Sequence, residues 1–241
     1  ALAGKAVFLE KPLGVDLSES RAQVARVAAS GVPAAVNFTQ AAGAALSSVS
    51  AAAQAGELGE LAGADIVVTY ANWPREWQKA ADWLRFRAEG GRTREVISHF
   101  LFFSDRSRGP LRVVWARAEY PGDAAWCESQ VAARLETASG LPVTIMGSVG
   151  GAQPDRQELT IKGSALSRRI TDFYRDAASS GGAFEPVGED YADPRAASLK
   201  AQLDDLVLLI GGKPNRLATL DEALRVQILV EGILAGQAVG G

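Results

Sequence analysis

Hydrophobic positions open the chain as a short continuous run, Ala6-Val7-Phe8-Leu9, of the kind a strand buried on both faces carries. Asp16-Leu17-Ser18-Glu19 then supplies a helix start with acid in its first turn, Arg21 to Ala29 continues the helix, and Gly31 stops it. Pro33 to Phe38 follows as a second small, apolar strand. Parallel strands joined by a helix form the βαβ unit of a doubly wound sheet. One such unit cannot bury both of its faces, so further strands are expected ahead of it. A chain whose first residue is Ala1 and whose first strand starts almost at once fits the expectation that it begins within a fold.

The period then changes. Ala41 to Ala55 carries a helical pattern that closes in Gly56-Glu57-Leu58-Gly59. Asp65 to Tyr70, Leu111 to Glu119, Ser129 to Leu135, Val143 to Met146 and Glu158 to Ile161 are strand-like runs at short spacing, which favours antiparallel pairing. Trp83 to Phe103 becomes helical after Gly90-Gly91, and Ala196 to Ile210 and Leu220 to Ala235 are two long amphipathic helices. The pattern predicts an α/β protein. Residues 1 to 38 form the end of a parallel sheet, and residues 39 to 241 form an α+β domain on a mostly antiparallel open sheet with helices on one face. The uncovered face, rich in β-branched residues, is expected to be buried in a homodimer or tetramer.

Composition narrows the function classes. Of 241 residues 47% are hydrophobic and the formal net charge is −3, with no basic stripe interleaved with aromatics, so neither nucleic acid nor an acidic membrane is an expected partner. The apolar runs are too short to span a bilayer. The single cysteine, Cys127, allows no intrachain disulfide, and a reducing, cytoplasmic setting is the expectation. No His, Cys or acidic cluster has metal-ligand spacing.

Several motifs, in order, resemble the glucose-fructose oxidoreductase, inositol dehydrogenase and rhizopine-catabolism group of NAD(P)-dependent oxidoreductases. Gly4 to Leu13, a strand ending in Glu10-Lys11-Pro12, is similar to the strand in which that group carries a lysine reaching substrate and nicotinamide. Gly90-Gly91 followed by Glu95-Val96-Ile97-Ser98-His99 is similar to its Gly-Gly segment and Asp-x-Gly-x-His helix, with Glu95 in place of Asp and Ile97 in place of Gly. Gly211-Gly212-Lys213-Pro214 and the final helix match its C-terminal close. The resemblance spans essentially the whole chain. It implies hydride transfer between NAD or NADP and a hydroxyl or carbonyl of a small polar substrate, a sugar or polyol derivative.

The residues give this chemistry a place. Lys11 lies at the carboxyl end of a strand, where doubly wound sheets put ligands, and is expected to polarise the substrate oxygen or share its proton with His99. His99, the sole histidine, is the expected general base or acid. Glu95, four residues earlier, is expected to orient it. Glu10, Lys11, Pro12 and Asn37 are expected to line the nicotinamide end. Trp73, Arg75 and Arg92 are the expected substrate contacts, by stacking and by bidentate hydrogen bonding. No G-x-G-x-x-G occurs in the sequence, so the pyrophosphate-binding turn is expected upstream of Ala1, and this chain alone is expected to bind NAD(P) weakly and to be inactive. The competing expectation is a non-catalytic binding or assembly module that lacks the cofactor half.

Overall fold

A computed structural model describes residues 3–188 and 191–236. The first strand, β1 (Val7–Glu10), is followed by helix α1 (Leu17–Ser30) and strand β2 (Ala34–Asn37), and β1 and β2 pair in parallel with Glu10 opposite Asn37. The Asp16 side chain accepts a hydrogen bond from the Glu19 amide, and Gly31 ends α1 in the left-handed conformation.

Helix α2 (Ala44–Gln54) leads into strand β3 (Leu61–Tyr70), and a π-helical turn at Thr93–Ile97 runs directly into helix α3 (Ser98–Arg108). Then come β4 (Leu111–Glu119), β5 (Gln130–Thr137), β6 (Pro142–Val149), β7 (Arg156–Gly163), β8 (Ser167–Thr171), β9 (Arg175–Ser179) and β10 (Glu185–Pro186). Helices α4 (Pro194–Ile210) and α5 (Leu220–Ala235) close the described chain. The eight strands from β3 onward form one sheet in the order β10-β9-β8-β7-β3-β6-β5-β4. Every neighbouring pair is antiparallel except β3 and β6, which run parallel.

Burial alternates along the strands. Ile66 and Val68, Leu135, Val143 and Ile145, and Leu159 and Ile161 point into the core, where α3 and α5 cover them. Phe100 to Phe103 are buried all round, so α3 is a central helix rather than a surface one. The βαβ unit joins this core through α5, and Val36 of β2 bridges to Ala218 just before that helix.

The opposite sheet face differs from the expected β-branched surface. It carries ion pairs between Lys162 and Asp65 at 2.7 Å, Arg112 and Glu136 at 2.8 Å, and Arg156 and Glu158 at 3.0 Å. Met146 is its most exposed large apolar side chain. Two strands that the sequence pattern does not show, β8 and β9, extend the sheet. They are short and charged, and their buried positions include Arg168 and Asp176, which pair with each other. An inward-facing charge pair breaks the apolar alternation by which a strand is recognised.

Candidate functional site

Four chain segments meet at the carboxyl ends of β1 and β2: the turn after β1, the turn after β2, the start of α3 and the β8–β9 hairpin. After β1 the chain passes through Glu10 into a cis Lys11-Pro12 bond. The Lys11 side chain, 7% exposed, donates from Nζ to the Glu95 main-chain carbonyl at 2.6 Å and to Glu95 Oε2 at 2.8 Å. Burial lowers the Lys11 pKa, and the Glu95 carboxylate opposes that shift. At the end of β2, Asn37 Nδ2 donates to Glu10 Oε1 at 2.9 Å.

Local sequence explains how Glu95 and His99 are presented. A Cβ on Gly90 would lie 2.4 Å from the carbonyl oxygens of Trp83 and Leu84, and one on Gly91, whose φ is +100°, would lie 2.4 Å from Glu128 Oε2. Only glycines fit there. The space they leave admits Glu128, whose Oε1 accepts from the Thr93 amide at 2.7 Å and from Thr93 Oγ1 at 2.6 Å, capping the turn that begins the helix. Ile97 is accommodated opposite Gly147 of β6, where its Cδ1 lies 3.2 Å from the position a Cβ would take.

His99 is buried, and its Nδ1 has no hydrogen-bond partner among the described residues. Its ring meets Phe38 edge-on at 5.9 Å and Phe173 at 5.0 Å. Burial, reinforced by repulsion from the Lys11 and Arg75 cations, holds its pKa well below 6.5, so it is neutral at pH 7 and able to accept a proton. Phe173 reaches it from the β8–β9 hairpin, where Asp172 and Phe173 both have positive φ, at 50° and 68°. Such a conformation costs a bulky residue about 1 kcal/mol. It is held by the stacking of Phe173 on Phe100 at 5.2 Å and by a hydrogen bond from Gln40 Nε2 to the Phe173 carbonyl at 3.2 Å.

The end of β3 supplies a further wall. Tyr70 is fully buried with an unpartnered hydroxyl, and burial raises its pKa. Trp73 precedes a cis proline, donates its indole N–H to the Leu84 carbonyl at 2.9 Å and packs on Tyr70. The Arg75 guanidinium lies 5.0 Å from the Tyr70 ring centroid and 4.7 Å from that of Trp77.

Two expectations are corrected. The Glu95 carboxylate serves Lys11 rather than His99, because a lysine buried this deeply requires a counterion and Glu95 is the acid in reach. Arg92 has no exposure. Its terminal nitrogens donate to the Glu128 carbonyl at 2.6 Å and the Gly147 carbonyl at 3.3 Å, bracing the sheet and leaving neither for a solute.

Lys11, Glu95 and His99 are brought together, with Glu10, Pro12 and Asn37 beside Lys11 and Arg75 within electrostatic reach of both Lys11 and His99. Phe173, Tyr70 and Glu128 were not anticipated. The one signal for Phe173 was a single aromatic pair, Phe173-Tyr174, amid polar residues. Asn37 Oδ1, Thr39 Oγ1 and Gln40 Oε1 are also buried without partners. Buried polar atoms are paired in most folds, and this corner gathers five residues with unpartnered ones: Asn37, Thr39, Gln40, Tyr70 and His99.

Elsewhere, a cavity of about 570 Å³ lies among α2, β8, β9 and α4, lined in part by Ser48, Tyr174 and Phe184. Burial pushes the Cys127 thiol up to about 11, which leaves it unreactive. Among the described residues no helix is long and apolar enough to cross a membrane, and no cluster of His, Cys, Asp and Glu is placed to hold a metal ion.

No family model and no curated protein matches the chain. Solved structures do match its fold, and they are NAD(P)-dependent oxidoreductases of the type its motifs resemble. The WlbA dehydrogenase from Bordetella pertussis, in complex with NADH and UDP-GlcNAcA, is similar at 20% identity and a TM-score of 0.75, over 96% of this chain and 69% of that one. KijD10, a 3-ketoreductase from Actinomadura kijaniata in complex with NADP, is similar at 19% and 0.76, over 98% and 72%. An inositol dehydrogenase homologue from Azotobacter vinelandii, complexed with NAD+, is similar at 17% and 0.74, over 97% and 70%. The mixed architecture, a large open sheet flanked by helices beside a short parallel pair, is shared with these enzymes.

Proposed function

We propose that this chain supplies the substrate-binding part, and the nicotinamide end of the cofactor site, of an oxidoreductase that transfers hydride between NAD(P) and a hydroxyl or carbonyl of a sugar or polyol derivative. The observation that carries the reading is the meeting of Lys11 and neutral His99 at the carboxyl ends of two parallel strands, surrounded by unpartnered buried polar atoms. The solved structures of this fold that hold NADH, NADP or NAD+ support it.

The residues at the end of β1 and β2 fit the nicotinamide end. Lys11 Nζ presents a cation there, and Asn37 Oδ1 and Thr39 Oγ1 are acceptors without donors. When bound, the nicotinamide supplies the hydride acceptor or donor. The chain's own part is proton management. His99 takes the hydroxyl proton as oxidation proceeds, Lys11 stabilises charge that develops on that oxygen, and Glu95 holds Lys11 in place. Phe173 and Phe38 keep water from the imidazole. In this reading residues 1 to 38 belong to the cofactor domain and residues 39 to 241 to the substrate domain, whose open sheet face pairs with a second copy through its charged ladder and Met146.

The test joins the chain to a cofactor-binding half and follows nicotinamide reduction by absorbance with a panel of polyols, sugars and sugar acids, while titration of the chain alone with NADH and NADPH should show no tight binding. Cofactor-dependent oxidation of any of them that depends on Lys11 and His99 supports the reading. Nicotinamide binding with no turnover across the panel, or turnover untouched by loss of Lys11 and His99, refutes it.

A further inference from the structure

The turn after β3 holds a cation in an unusual state of readiness. The Arg75 guanidinium is stacked among Tyr70, Trp73 and Trp77, with ring centroids at 5.0, 6.0 and 4.7 Å, and its Nε donates to Gln78 Oε1 at 3.0 Å. Gln78 is itself buried and also accepts from the Arg75 amide at 3.3 Å, so the side chain is fixed at its root. Among the described residues, neither terminal nitrogen of Arg75 has a hydrogen bond or an ion pair. Three other arginines contrast with this: Arg94 is bidentate to Glu231, Arg106 to Glu222, and Arg168 to Asp176. A planar fork with its faces covered by rings and its outer edge free is the arrangement that receives a carboxylate in two parallel hydrogen bonds.

Two further observations place that edge at the site. The fully buried Tyr70 hydroxyl, under the same guanidinium, has no partner. The Arg75 charge also reaches both Lys11 and His99, disfavouring their protonated forms. Lys11 has its hydrogen-bonded partner in Glu95 and feels Glu10 as well, whereas Arg75 bonds no carboxylate among the described residues.

We propose that the terminal nitrogens of Arg75 anchor a carboxylate of the substrate, so that the site takes a hydroxy acid in preference to the neutral polyol of the same carbon chain. The inference rests on the reading of the corner as a site for a sugar or polyol derivative and narrows its chemical class. The terminal nitrogens of Arg75 present two donors in one plane, which matches the two oxygens of a carboxylate.

The experiment is calorimetric titration of the chain with three probes on a common six-carbon frame: D-gluconate, D-glucitol and glucitol 6-phosphate. Gluconate is expected to bind roughly ten to a hundred times more tightly than glucitol, the difference a hydrogen-bonded charged contact makes. Arg75→Gln is expected to abolish that preference, with Arg75→Lys restoring part of it. Thermal melting confirms that each variant is folded, and because Arg75 bonds only Gln78, Arg75→Lys serves if the glutamine variant is not. Equal affinity for gluconate and glucitol, no gluconate binding, a preference that survives Arg75→Gln, or tighter binding of the phosphate would each overturn the proposal. No cofactor is present in this titration. An acid preference found in a protein that never turns over would therefore refute the oxidoreductase reading alone.

Discussion

The two ends of α3 are built to opposite rules. At its C-terminal end, Asp105 Oδ2 accepts from Arg225 at 2.8 and 3.1 Å while Oδ1 accepts from the Leu111 amide. Arg106 is bidentate to Glu222 and also donates to the carbonyls of Ala41, Arg216 and Leu217. Glu222 in turn closes a capping box with Thr219 at the head of α5. At the N-terminal end, one to two turns away, His99 Nδ1 faces no partner, a phenylalanine is held at positive φ against it, and a lysine is buried on one carboxylate. Satisfied polar networks fix a core, and local rules are broken where a ligand is meant to complete them. The first end locks α3 to α5; the second leaves valences open.

The comparison is broken most decisively by His99→Ala. With the chain joined to a cofactor-binding half, and with cofactor and an accepted substrate present, turnover should fall by roughly 10²–10⁴-fold, the worth of a positioned general base. The melting temperature should move far less than that loss implies, because the imidazole makes no hydrogen bond through Nδ1. Turnover within a few-fold of the parent would return His99 to a merely structural role.

The mirror experiment is Arg106→Met, which should leave catalysis nearly intact and cost stability. Glu222 and several carbonyls would be stranded. The pair is 19% and 15% exposed, so the expected loss is about 2–3 kcal/mol, discounted from the value for a fully buried pair. Denaturant titration measures it, and a loss below a few tenths of a kcal/mol would show that this end is ornamental.

How far the sequence made these ends legible follows from the same contrast. The elements were visible wherever apolar periodicity set them: β1, α1, β2, α5 and the core strands fall where the pattern puts them, because burial of Val36, Ile66, Leu135 or Ile233 is decided by side chains alone. The motif residues Lys11, Glu95 and His99 were visible as residues, and their meeting followed from the family resemblance. Their wiring was not visible. That Glu95 bonds Lys11, that Arg92 braces β6, and that Phe173 caps the imidazole are outcomes of packing between segments 55 to 84 residues apart, which spacing along one helix cannot encode. The β8–β9 hairpin escaped because Arg168 and Asp176 fill inward positions with charge.

Glu95→Gln sharpens the wiring itself. It should lower turnover roughly tenfold by loosening Lys11, in the range seen when a group that orients a reactive side chain is altered. Because His99 is the only histidine, its imidazole proton resonance is unambiguous, and its titration should hardly move in the variant. A large downward shift of that titration would mean that the carboxylate supports the imidazole after all.

The smallest effect is on stability against pH, and its sign follows from the burial of His99. Its folded pKa lies well below 6.5, so the unfolded chain takes up a proton that the folded protein refuses. The associated stability is fully present above about pH 6.5 and is lost as pH falls from there toward the folded pKa, with a slope of at most about 1.4 kcal/mol per pH unit for one proton. The Lys11 and Arg75 charges disfavour the imidazolium, and the Glu95 carboxylate is engaged by Lys11. His99→Gln removes the titrating group while keeping a polar side chain, so unfolding free energies measured between pH 5 and pH 7 should flatten relative to the parent, consistent with the ordinary histidine range. If parent and variant show the same slope, the fold does not depress the imidazole pKa and the burial argument for His99 fails.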